Sequence, residues 1–207
     1  MMPRGSAQAA PAGPPKAWPR GLMYITAPVY SKTLTPEHFG SLRRPPALPN
    51  ACLPRSEVAP GPSPLAVITP IGNPSHPASG QHGLFAAQNL PPDAFVILYL
   101  GVVHGKDDAD PASDYDLSLD RELGLGVDAS RMGNEARFIN DYRGVRSAGP
   151  NAEFREVWVD AGNGKAEKGM GVFVLGAGKS GKRAKGIRKG EEIVVSYGKG
   201  FWSERQG

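Results

Sequence analysis

The chain has 207 residues, of which 40% are hydrophobic and 21% charged, with 24 basic side chains against 20 acidic. That balance fits a globular domain with extra polar length. Its longest apolar run, Ala94 to Leu100, is far shorter than the roughly 18 residues a membrane-spanning helix requires. Cys52 is the only cysteine, which excludes a disulfide framework and a multi-cysteine zinc site and points to a reducing, intracellular compartment.

In chain order, residues 1–63 come first as a basic, Pro/Ala-rich leader. Up to residue 60 it holds seven basic residues and two acidic ones, and 17 of the 21 prolines precede Gly80. Such a segment buries too little apolar surface to offset its ordering entropy, so it is expected to be largely disordered. The absence of acid before Glu37 suits a transit peptide. Pro3, Pro11, Pro14, Pro15 and Pro19, however, would break the amphipathic helix that such a signal needs, and no apolar stretch suits a secretory signal.

From Pro64 the pattern becomes that of short strands. "PLAVITPI" and "HGLFAA" flank a turn-rich "GNPSHPASGQ"; "AFVILYLGVV" reads as one buried strand ending at Gly101; "YDLSLD" alternates as a half-buried strand. "LGLGVDAS", "AEFREVWVD", "GMGVFVLGAG" and "EEIVVSY" complete about eight strands separated by turns. The body, residues 64–202, is therefore mainly β, with residues 203–207 as a short tail. On strand spacing alone, a sandwich or barrel with a binding role is the favoured reading, which the specific residues then change.

Three stretches carry more than strand pattern: "GQHGLFAA", "GNEARFINDYRG" followed by "PNAEF", and "IRKGEEIVVSYGKGFW". Together with "LYLG" at 98–101, their order and spacing resemble the SET-domain protein lysine methyltransferases. That family shows a GxG turn before an apolar strand, a Y-x-G strand, a GN-x-x-R-F-I-N-H-S loop with PN beyond it, and a terminal GEE strand ending on tyrosine. The resemblance implies a β-clip type fold whose C-terminal segment threads beneath the loop carrying "RFIN". It implies methyl transfer from S-adenosylmethionine to a protein lysine, with no metal.

By this resemblance Tyr197 closes the channel for the substrate lysine and orients its amine, and Tyr99 lines that channel. Asn140, with Asp141 beside it, holds the donor; His82, Gly83 and Leu84 add contacts, largely through backbone. Phe201 or Trp202 covers the adenine. Arg137, with Phe138 and Ile139, is read as anchoring the loop. Two departures bear on activity: Asp141 replaces the family's histidine, and Gln81 replaces the first glycine of GxG.

The implied substrate is a histone tail, and the implied location the nucleus, with the cytoplasm as an alternative. The rival reading is a catalytically silent SET domain that binds chromatin or another protein; a third is an enzyme acting on a non-histone protein. "KSGKRAKGIRK", residues 179–189, holds six basic residues in eleven and is read either as a solvated loop or as a contact for nucleic acid or nucleosome. The acidic run from Asp107 to Asp120 is read as solubilising, or as an attractor for a lysine-rich tail.

Overall fold

The computed structural model describes residues 13–44, 52–58, 61–179, 181 and 183–197. In chain order its elements are β1 (Met23–Tyr24), β2 (Val29–Tyr30), helix α1 (Pro36–Leu42), β3 (Arg43–Arg44), β4 (Cys52–Leu53), β5 (Ala66–Pro70), β6 (His82–Ala86), β7 (Phe95–Tyr99) and β8 (Val102–His104). They continue with β9 (Asp116–Asp120), β10 (Leu125–Asp128), β11 (Met132–Gly133), β12 (Asn140–Asp141), β13 (Ala152–Gly162), β14 (Lys165–Val174) and β15 (Val194–Val195). The mainly-β expectation holds.

The long hairpin β13–β14 organises one sheet, in the order β3-β14-β13-β4, with β7 also pairing to β14. Its turn places Asn163 and Gly164 at φ 54° and 66°, the left-handed pair that a tight hairpin favours. The second sheet runs β2-β8-β10-β9, and β5–β6, β1–β11 and β12–β15 form small pairs. Between them lies a continuous apolar core that includes Ile68, Leu84, Val96, Val103, Leu119, Leu125, Val172, Ile193 and Val195.

Two expectations are corrected here. The run "AFVILYLGVV" is not one strand: it breaks at Leu100–Gly101 into β7 and β8, which belong to different sheets. Gly101 makes the corner possible, because a Cβ there would sit 2.3 Å from the carbonyl oxygen of Asp128.

The leader is the second correction, for its described residues 13–44, 52–58 and 61–63. Strands β1 to β4 each join the edge of an existing strand: β11, β8, β14 and β13 respectively. Trp18 packs edge-on against Tyr24 and Phe138, with ring centroids 5.0 and 5.5 Å apart. Helix α1 begins on Thr35, whose hydroxyl accepts from His38 N while His38 Nδ1 accepts from Thr35 N, a reciprocal cap. Composition misses this order because two-residue edge strands are held by main-chain hydrogen bonds, which any sequence other than proline can make, and by a few aromatic anchors.

Candidate active site

The loop carrying "RFIND" and the terminal strand meet through backbone pairing. β12 and β15 run parallel, Asn140 opposite Val194 and Asp141 opposite Val195. Two polar side chains, Asn151 and Asp141, fix this pairing. Asn151 accepts from Val194 N at 2.8 Å and donates to Glu192 O at 2.8 Å, taking the place of a neighbouring strand. Asn134 does the same at the end of β7, accepting from Leu100 N and donating to Leu98 O. The buried carboxylate of Asp141 accepts from Tyr197 N at 2.8 Å and pairs with Arg143 Nη1 at 2.7 Å. On its other side the terminal segment bonds β6, Ile193 N to Leu84 O and Ala86 N to Glu191 O. It is thus threaded between β6 and the loop.

Two cavities meet at this junction. A cleft of about 480 Å³ is lined by His76, Gln81, His82, Phe138, Asn140, Asp141 and Tyr197, among others. A narrower cavity of about 110 Å³ is lined by Tyr99, Phe154, Ile139 and Ser196. Asp114, Tyr115, Arg137 and Tyr197 line both, so they form a shared wall. Asn140 and Tyr197 therefore line one cleft.

The shared wall is rigid. Tyr197 Oη donates to Ile139 O at 2.5 Å, and Tyr99 Oη donates to Tyr115 O at 2.7 Å. The Arg137 guanidinium lies 4.1 Å from the centre of the Tyr115 ring, while its Nε donates to Ala129 O. Burial holds both phenols well above the ordinary tyrosine range, with the Asp141 carboxylate adding to the effect at Tyr197 and the Tyr197 phenol adding to it at Tyr99. Both stay neutral at any working pH.

Behind Asn140 stands a second layer. Its Nδ2 donates to Glu192 Oε1 at 2.8 Å and, at 3.4 Å, to His82 O. Glu192 Oε2 lies 3.0 Å from His76 Nε2. Because His76 Nδ1 accepts from Ala78 N, the ring proton sits on Nε2 and is donated to Glu192. The chain His76–Glu192–Asn140 thus fixes the amide with its NH₂ turned inward and its carbonyl oxygen toward the cleft.

The SET domain family model matches residues 81–198, more than half of the chain. The chain belongs to the SET domain family. Among solved structures, this SET domain is similar to the Chaetomium thermophilum polycomb repressive complex 2, at 24% identity and a TM-score of 0.46 over 64% of this chain and 15% of that one. It is also similar to apo ctPRC2 in an autoinhibited state (22%, TM-score 0.48, 68% and 16%) and to ctPRC2 in an autoinhibited conformation bound to S-adenosylmethionine (22%, 0.47, 68% and 16%). The chain spans only 15 to 16% of the length of these three. Comparison with curated protein sequences returns no match.

The other residues read from sequence are placed as follows. His82 lines the cleft, its ring 5.8 Å from that of Phe138. Gly83 does not open onto it: a Cβ there would stand 2.7 Å from Glu192 Oε1 and 3.2 Å from Asn140 Nδ2, so the close approach is by these side chains. Leu84, expected at the donor, is fully buried in the core, and its carbonyl is taken by Ile193 N. It follows His82 by two strand positions, about 7 Å, which carries it from the cleft rim into the interior. Phe201 and Trp202 lie outside the described residues.

Arg137, read as an anchor, also walls both cavities. Tyr115, Glu192 and His76 were missed. The first was hidden in an acidic loop, the second in a turn motif and the third in a run of turn residues; only tertiary contact reveals them. Half of the acidic run's six aspartates are spent on side chains of other elements, Asp108 on Ser31 and Thr33, Asp116 on His104, and Asp120 on Ser41 and Lys168.

Proposed function

We propose that this SET domain is a protein-lysine N-methyltransferase that uses S-adenosylmethionine, acting on a histone lysine in the nucleus. The observation that carries this reading is the pair of cavities sharing one wall, with Asn140 in the larger, Tyr99 in the smaller and Tyr197 common to both. A single-compartment binding pocket would not need that division.

The residues present fit the donor. A cleft of about 480 Å³ lies within the range for small-ligand sites, about 300–1,000 Å³. The outward carbonyl of Asn140 is an acceptor suited to an α-ammonium group, and Phe138 with His82 offers an apolar, aromatic side. When bound, S-adenosylmethionine supplies an electrophilic methyl group on a sulfonium.

The chain's own part is positioning, desolvation and polarisation. The narrow cavity, walled by Tyr99, Phe154 and Ile139, admits an extended aliphatic side chain and strips water from its amine, which favours the neutral form that carries a free lone pair. Two neutral phenols held by backbone carbonyls orient that amine through their oxygen lone pairs. Neither is a phenolate, so neither serves as the base; the amine's proton leaves to water at the mouth, where Asp114 stands exposed. Holding the amine in line is worth roughly 7–11 kcal/mol in well-oriented systems. Asp141, in the place of the family's histidine, holds the terminal strand in register through Tyr197 N, so the substitution keeps the site assembled.

Calorimetry with S-adenosylmethionine, followed by methylation of whole histones read by mass spectrometry, tests the proposal. Donor binding with methylated lysine is expected. Binding without any methylated lysine, on histones or in a protein extract, would leave an interaction module instead.

A further inference from the structure

A further pocket, of about 290 Å³, shares no lining residue with the cleft or with the narrower cavity beside it. Its polar wall is built from Arg146, Arg183, Lys185 and Arg188, with Glu191 the one carboxylate and Asn151 at its base. The basic run contributes three of these cations, whereas Arg146 comes from the loop after β12, more than thirty positions earlier in the chain.

The charges are held but not neutralised. Arg183 Nε donates to Gly176 O at 2.8 Å, and Arg146 Nη1 donates to Gly149 O at 2.8 Å, so both guanidiniums are fixed by neutral carbonyls. Glu191 Oε2 is occupied by the backbone N–H of Arg188. None of the four cations enters a salt bridge among the described residues. The loop is clamped in place: Leu90 and Ile187 exchange both backbone hydrogen bonds, and Gly186, at φ +62°, lies so close that a Cβ would stand 2.0 Å from Leu90 O. Like charges gathered on a fixed frame repel one another unless an anion sits among them.

We propose that this pocket binds the phosphate backbone of duplex nucleic acid. Guanidiniums fixed through one edge present their remaining N–H groups as paired donors for phosphate oxygens. Among the described residues no aromatic side chain lines the pocket, so it offers no platform for stacking the bases of a single strand. Lys179 and Lys189 flank it along the chain, extending the cationic surface beyond one phosphate. This assignment is independent of the methyl-transfer reading.

The test is fluorescence anisotropy of the full chain with a labelled DNA duplex of about 20 base pairs, titrated at several salt concentrations. R183A/K185A/R188A is expected to weaken binding at least about tenfold and to reduce the salt slope by about 2–3, near one for each phosphate that is no longer neutralised. K185A/R188A, which removes no described side-chain hydrogen bond, should show the same direction with an unchanged melting temperature. K16A/R20A/K32A removes equal charge elsewhere and should change affinity by less than about threefold. Equal losses from both triple variants, or none from the pocket variants, would overturn the proposal. So would a wild-type chain that captures a phosphopeptide but not the duplex.

Discussion

The two ends of the described chain were unequally visible. The C-terminal junction, residues 133–151 with 191–197, is dense in side chains that replace backbone partners: Asn134, Asn151 and Asp141 each satisfy main-chain groups that a strand would otherwise satisfy. The N-terminal segment, residues 13–44, is added by two-residue strands and by Trp18, Tyr24 and helix α1. The first kind of order leaves a motif, because a bracket needs one particular side chain at one position. The second leaves almost none, because the bonds are made by the backbone and the anchors are few.

The largest effect should come from the junction. Tyr197→Phe keeps the ring but removes the hydroxyl, and is expected to cut methylation by about 10²–10³-fold, the usual cost of losing one polarising group, while donor affinity in calorimetry stays the same. Unchanged turnover would remove Tyr197 from its assigned role. Asn151→Ala strands the Val194 N–H and Glu192 carbonyl in the interior; a loss of about 3 kcal/mol is expected in urea unfolding, from about 1–3 kcal/mol per unsatisfied group.

Trp18→Ala probes the other side of the comparison. Its half-buried ring meets Tyr24 and Phe138, so a loss of about 2 kcal/mol is expected. A melting curve identical to that of the unaltered chain would show that the N-terminal segment adds nothing to the fold. Asn140→Ala should weaken donor binding about tenfold, near 1.4 kcal/mol, and Glu192→Gln should do so less, since an amide can still accept from Asn140.

The smallest effect is one of pH. Burial opposes charge on His104, but the Gly105 carbonyl at Nδ1 and the Asp116 carboxylate at Nε2 together outweigh it and raise the pKa. A raised folded value means that this contribution is fully present below the unfolded pKa of about 6.5 and is lost as pH climbs through the folded one. Urea midpoints measured from pH 6 to pH 9 should therefore fall, and His104→Gln should flatten that fall. A rise over the same range would contradict the assignment.

The sequence by itself determined the mainly β character from Pro64 onward and the family, because alternation and fixed-position brackets are local properties of the chain. It also named Asn140, Tyr197, Tyr99 and His82, which the fold brings to two adjoining cavities. Tertiary structure decided the rest. It put Leu84 in the core, made Tyr115 and Arg137 a shared wall, and joined His76 to Glu192 behind Asn140. It also ordered residues 13–44 against edges that already existed. These depend on which backbone groups remain unpaired once the sheets have formed, and no local pattern records that.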